Sequence, residues 1–338
     1  MPRRWRRDHL QAGFCVPTAA PGSPGASPSF SQAPLTPASP GANPIDLLAW
    51  LFTPIFQTLF ISLTFLDVVF GNILVAIVLL TIALRVLVIP LYRRQLVSTR
   101  QMQLLQPEVK ELQRKYKGDR VKQQAAVQEY YRQRGINPAG GCLPILLQFG
   151  ILIPMYSVFS QGLTNYDITP MLQVGPIDFA AIWGITCAPA PIFDAAGHVM
   201  NPCINPVAFG INWGLPEPVT TGLYIAGFGI SILAIISSVV QLVASPMPLP
   251  AQDPKNDDPN VKVQRQMALF LPLISILYGG MLPAGLFVYW ITATIIQIIQ
   301  QYLIVGWGGT FPFLGWYPDF ARNHSPRYPV KLPEIKPM

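Results

Sequence analysis

Residues 71–92 read GNILVAIVLLTIALRVLVIPLY, an apolar run long enough to cross a bilayer, with one arginine, Arg85, inside it. An arginine near the centre of such a helix costs about 2.5–3.5 kcal/mol to insert. Intramembrane charges usually face protein or a water-filled cavity, and they mark function. Arg85 lies eight residues before Arg93, about 12 Å along a helix. A snorkelling side chain would have to cover most of that depth alone. A water-accessible recess, open on the Arg93 side, accounts for it better.

Further apolar runs at 142–160, 223–243, 267–282 and 284–305 bring the core to five spans, the fourth short and holding Pro272. Charged residues make up only 12% of the 338 positions and hydrophobic ones 51%, where soluble domains average about a quarter charged. The expected fold class is therefore an all-α polytopic membrane protein. The formal charge of +7 is then no nucleic-acid signature, because basic loops also orient membrane proteins, and no motif for direct nucleic-acid readout is present. The four cysteines form no CxxC and no cluster with histidine, so neither a metal site nor a cofactor is expected. The spans hold no His, Asp, Glu or Lys, and only Cys142 at an edge, so no catalytic nucleophile and base are expected and the chain does not read as an enzyme. There is no P-loop.

The charges set an orientation. Residues 93–134 carry eleven Lys/Arg against four acids, whereas 161–222 carry four acids (Asp167, Asp178, Asp194, Glu217) and no Lys/Arg. By the positive-inside rule the first stretch is cytoplasmic and the second exoplasmic, giving an N-terminus outside and a C-terminus inside. The four arginines before position 10 do not fit that arrangement. They would fit if residues 45–66, interrupted by Pro54, were a sixth span; the alternative is a helix lying in the interface with Trp50 toward the acyl chains.

Composition divides the rest. Residues 1–44 form a Pro/Ser/Gly-rich tail expected to be disordered, and no apolar signal-peptide region follows its basic start. The membrane core is 45–305 and the C-terminal tail 306–338. Within the 93–141 loop, Met102, Leu105, Val109, Leu112 and Tyr116 recur at helical spacing. A turn at Lys117-Gly118-Asp119 and a second helical run to Arg134 complete a helical hairpin, either a solvated link between two spans or, given its length and basicity, a docking element for partners or anionic lipid. Cys187 and Cys203 both fall in the 161–222 loop, either bridged in a disulfide-permissive compartment or as two thiols.

Other polar residues share the basic side of the spans. Thr81 is one turn before Arg85 on the same face, and Gln148 is about two turns into its span. In the last span Tyr289, Ala293, Ile296 and Gln300 make one face, with Thr292 and Gln297 beside it. Each could be an ordinary interhelical hydrogen bond, worth about 0.6 kcal/mol. With Arg85 they describe a recess that is polar at its mouth and closed by apolar residues outward. No acid lies in any span to neutralise Arg85, so the cation needs water or an anionic visitor.

The stretches TIALRVLVIPLYRRQ, MQLLQPEVKELQRKY, NPAGGCLPILLQFGILIPMY and LPAGLFVYWITATIIQIIQQ resemble the YidC/Oxa/Alb family of membrane protein insertases, most closely bacterial members without the large periplasmic domain. The resemblance covers roughly 45–305. It implies five core helices around a cytoplasm-open hydrophilic groove, a cytoplasmic helical hairpin, and an amphipathic exoplasmic helix at 45–66. It implies that Arg85 is the groove arginine, that Thr81 and Gln148 line the groove, and that Tyr289 and Trp290 lie near the substrate path; Gln297 and Gln300 join the groove by their place on the last span rather than by the resemblance. The implied partners are nascent membrane proteins, the ribosome, in some members the SecYEG translocon, and the lipid bilayer; the implied location is the bacterial plasma (inner) membrane. Two departures stand out. The acid-only 161–222 loop is long for the family, and the tail after 305 carries only four Lys/Arg, too few for a strong ribosome-binding tail.

The expected function is insertion and folding of membrane proteins without nucleotide hydrolysis. The alternative is a small-anion transporter or channel with Arg85 as its selectivity charge, although no inverted repeat is evident.

Overall fold

The computed structural model describes residues 32–38, 44–135, 143–225, 228–249, 259–304, 306–308, 310, 319 and 330. Helix α1 (Pro44–Phe70) turns sharply into α2 (Ile73–Leu104). The turn is written locally. Gly71 takes φ 63° and donates to Asp67 O, ending α1, and Asn72 Oδ1 accepts from the backbone N–H groups of Leu74 and Val75 (3.0 and 3.3 Å), starting α2. At 32 residues, α2 extends about 48 Å, longer than a hydrocarbon core of about 30 Å.

That end leads into a hairpin of α3 (Gln106–Lys115) and α4 (Arg120–Gln133). Leu105 and Val109 of the expected stripe are buried, while Met102, Leu112 and Tyr116 are half-buried. Gln123 Nε2 donates to Gln113 O (2.8 Å) and Arg134 pairs with Glu108 (3.1 Å), tying the two helices together. Asp119 caps α4 by accepting from Lys122 N. That bond, then the Lys122 side chain, holds its carboxyl below the usual value, so the cap's contribution is complete above the ordinary carboxylate pKa and fades as pH falls through the lowered one.

Helix α5 (Leu143–Ser157) continues through a π turn, Val158–Gly162, into a long loop. The loop holds three small hairpins, β1 (Gln173–Val174) with β2 (Ile177–Asp178), β3 (Val207–Ala208) with β4 (Ile211–Asn212), and β5 (Tyr224–Ile225) with β6 (Phe228–Gly229). It also holds the short helices α6 (Phe179–Trp183) and α7 (Glu217–Thr221). Helices α8 (Ile232–Ala244), α9 (Pro259–Tyr278) and α10 (Ala284–Ile304) follow.

The span expected at 223–243 starts late. Residues 224–225 pair antiparallel with 228–229, and α8 begins where its N-terminal amides find acceptors. Ser231 Oγ accepts from Ala234 N (3.0 Å), and the buried Glu217 carboxylate accepts from Leu233 N (2.9 Å) and from the Ser231 hydroxyl (2.7 Å). The same stretch of loop starts α10, with Ala284 N donating to Leu215 O (2.8 Å) and Gly285 N to Trp213 O (2.9 Å). Residues 213–217 thus satisfy amides at two helix starts, which have no partner within their own helices.

The expectation of a disordered tail over 1–44 is corrected at residues 32–38. Leu35 N donates to Asp167 O (2.9 Å), Asn165 donates to Ala33 O (3.2 Å), and Leu35 is buried in the main core. Pro44 already belongs to α1. The remainder of that expectation, the start of the 142–160 span at Cys142, and most of the 306–338 tail lie outside the described residues.

The core sits at the long-loop end. Phe60 and Leu63 of α1, Ile73 and Ile77 of α2, Val158 and Phe159 of the π turn, and Leu286 of α10 pack there with loop residues Leu163, Ile168 and Leu172. Gly162 lies against the Phe60 ring, and a Cβ on Gly285 would stand 2.9 Å from Trp213 O and 3.0 Å from Phe159. Helix α10 packs on α2 and α8, and α8 on α9; α5 packs on α1 and touches α2 only lightly, with no comparable contact to α10 among the described residues. We expect Glu217→Ala to lower thermal stability in detergent by about 1–3 kcal/mol, by leaving Leu233 N and Ser231 unpaired, with Glu217→Gln closer to wild type.

Candidate functional site

Three described stretches are long and apolar enough to cross a membrane alone, Trp50–Phe70, Ile73–Met102 and Ala284–Ile304. The second carries Arg85. Its outward neighbours Val86 and Leu87 are exposed, whereas Arg85 itself is half-buried at the edge of the α2–α10 contact. Its charge is within electrostatic range of the phenols of Tyr289, on α10, and Tyr92, two turns along α2. No carboxylate pairs with it among the described residues.

The other expected residues divide into two groups. Thr81 and Tyr289 are buried within the helix packing, and the Thr81 hydroxyl donates to Ile77 O on its own helix (2.7 Å). Gln148, Trp290, Gln297 and Gln300 are half-buried, with Trp290 beside Phe287. Arg85 is thus within electrostatic range of Tyr289, and no bond links either to Gln148 among the described residues.

Sequence reasoning missed the polar contact nearer the hairpin. Tyr92, Gln95 and Gln301 are buried between α2 and α10, and Gln301 Nε2 donates to the Tyr92 hydroxyl (3.1 Å). Both polar atoms of the Gln95 side chain, and the Oε1 atoms of Gln300 and Gln301, have no partner among the described residues. Tyr92, Leu96 and Ile304 pack with Val97 and with Val330 of the tail. The signal was present as spacing: Thr81, Arg85, Tyr92 and Leu96 follow one helical face. On α10 the buried face continues from Ala293 to Gln301 and Ile304 rather than to Gln300.

Residues 65–307 match the family model described as 60Kd inner membrane protein. The chain belongs to this family. It is 31% identical over 274 residues to the membrane protein insertase YidC of Methylobacterium radiotolerans, covering 78% of this chain and 37% of that protein. It is 32% identical over 291 residues to that of Dinoroseobacter shibae, covering 86% and 42%. A crystal structure of an active YidC insertase with its first transmembrane domain resolved is similar at 22% identity and a TM-score of 0.42, covering 76% of this chain and 48% of that one. The chain spans about two fifths of the length of the first of these relatives. As a 60Kd inner membrane protein family member it is a YidC/Oxa-type bacterial inner membrane protein.

The long loop of this family member contains a disulfide between Cys187 and Cys203, with Cα atoms 4.8 Å apart. Beside it, Gln32, Ser160, Thr164, His198 and Asn212 are among the residues lining a cavity of about 270 Å³, far along the chain from the Arg85 helix. Reducing the disulfide is expected to cost about 3 kcal/mol, the chain-entropy value for a loop near 15 residues, read as a lower melting temperature with reductant. A second expectation concerns Gln95. Gln95→Leu removes two partnerless amide atoms from the α2–α10 contact and should raise the melting temperature in detergent, an unmade buried hydrogen bond costing about 1–3 kcal/mol; a fall would mean that the amide is satisfied.

Proposed function

We propose that the chain inserts membrane proteins into the bacterial inner membrane through a recess centred on Arg85 and open on the side of the α3–α4 hairpin. The observation that carries this is a half-buried cation on a membrane-length helix, beside Tyr289 and Tyr92 and without a carboxylate partner among the described residues. The family match supports it.

In this reading the hairpin end is cytoplasmic, because it carries the basic loop, and the long acid-only loop is exoplasmic. The pairing of residues 33 and 35 with Asn165 and Asp167 supports an N-terminus on the exoplasmic side. Helix α1 lies in the exoplasmic interface rather than across the membrane. In support, Gln57 donates to Met171 O and Gln173 O, Phe60 meets Gly162, and Phe65 stacks near Trp183, so successive turns of α1 rest on the long-loop end.

The polar end of a substrate enters the wet recess and, where acidic, pairs with Arg85. The apolar segment slides along the outer faces of α5 and α10, where Ile153, Tyr156, Ile295 and Ile299 are exposed. Moving twenty Leu-, Ile-, Phe- or Val-like residues into lipid yields about 6–12 kcal/mol, so no nucleotide is consumed. The recess shortens the path of the polar end through hydrocarbon. The half-buried Gln297 and Gln300 extend the polar lining toward the mouth, while Thr81 and Tyr289 close it outward. Nascent membrane proteins are the substrates, with the ribosome and the SecYEG translocon as partners on the hairpin side and in the membrane.

The test is complementation of a host depleted of its own insertase. Wild type and Arg85→Lys should restore insertion of a small acid-tailed membrane protein, and Arg85→Ala should lower it about tenfold or more, equivalent to a loss of about 1.4 kcal/mol. Equal rescue by Arg85→Ala would remove Arg85 from the mechanism. Arg85-dependent uptake of a small anion would replace insertion by transport. A photo-crosslinker at Trp290 should capture a stalled nascent chain.

A further inference from the structure

The β5–β6 hairpin is an unusual prelude to a membrane helix. From Pro218 to Gln252 the sequence carries no charged side chain, yet the helix starts only at Ile232. The 13 residues of α8 extend about 20 Å, short of a core of about 30 Å, whereas the 21 residues of α10 match it. The hairpin base sits at the level where α10 begins. A Cβ on Gly229 would stand 2.9 Å from Pro218, and Gly280, in the turn between α9 and α10, lies against the Gly229 carbonyl. The base is therefore held at the boundary of the membrane-spanning region.

The side chains beyond that base face outward. Tyr224, Ile225 and Phe228 are 52%, 61% and 74% exposed. They continue an exposed apolar strip formed on α8 by Ile232, Ile235, Ile236 and Val239. The backbone is meanwhile satisfied internally: Tyr224 pairs with Gly229, Ile225 with Phe228, and Ile230 N donates to Leu223 O (2.9 Å). Apolar side chains on a self-paired backbone, in a stretch without charge and continuous with a lipid-facing helix, meet the requirements for residence at the headgroup–acyl boundary.

We propose that residues 223–225 and 228–230 form a lipid anchor, lying in the boundary of the leaflet on the long-loop side with Tyr224, Ile225 and Phe228 in contact with lipid. The anchor extends the short α8 sideways in the leaflet and fixes the height of the α9–α10 turn. It depends on the chain being a membrane protein and not on what the recess carries.

The test uses the full chain with Cys15→Ser and Cys142→Ser, the Cys187–Cys203 bond left intact, and a nitroxide at Ile225→Cys, Phe228→Cys or, as reference, Ala195→Cys. Each is reconstituted in phosphatidylcholine–phosphatidylglycerol vesicles after its melting temperature is matched to the parent. Collision with oxygen should exceed collision with a water-soluble nickel chelate several-fold at 225 and 228, and the ratio should invert at 195. Nickel access at 225 and 228 equal to that at 195 would place the hairpin in water and overturn the anchor. Poor access of both reagents at 225 and 228 would mean that protein covers the hairpin, and would overturn it equally.

Discussion

Trp213–Glu217 holds the starts of two membrane helices at once. Two of its carbonyls take the first amides of α10, and its one carboxylate takes an amide of α8 and the hydroxyl of that helix's cap. In a medium without water these acceptors are needed for either helix to begin where it does. Because α10 is fixed there, Gly285 can approach Trp213 and Phe159, and the core gathers at that end around Phe60, Phe159 and Ile77. The opposite end has no such core among the described residues. It holds a smaller cluster around Tyr92, Leu96 and Ile304, with partnerless amides beside it.

That division gives Arg85 its meaning. A cation on a membrane-length helix is unfavourable unless water or an anion reaches it, and no carboxylate pairs with Arg85 among the described residues. A site lined by permanent carboxylates would satisfy the arginine and leave nothing for a visitor to gain. The phenols of Tyr289 and Tyr92 are neutral neighbours instead, compatible with a transient partner.

Much of the membrane architecture was legible because it depends on local composition. The apolar run around Arg85, the last span, the hairpin with Asp119 as its cap, and the contrast between the basic and acid-only loops can all be read along the chain. What escaped depends on distant partners. Hydropathy extends α8 back to residue 223, since it counts apolar side chains and is blind to whether the backbone coils or pairs; Ser231 carried the cap signal, but Glu217 lies 14 residues away. Composition marks residues 32–38 as disordered, yet Leu35 finds its backbone partner at Asp167. The Cys187–Cys203 pairing needed geometry that spacing does not supply. At the site, the face of α10 was read as ending on Gln300, one residue short of Gln301, which makes the contact with Tyr92.

The central claim is that Arg85 faces water from the hairpin side. Arg85→Cys, in the chain with Cys15 and Cys142 replaced by serine, can be exposed to a membrane-impermeant maleimide in inverted and in right-side-out membrane vesicles. The account predicts modification from the side that presents the α3–α4 hairpin and none from the other. Modification from the long-loop side, or from neither side while the protein remains folded, would contradict it.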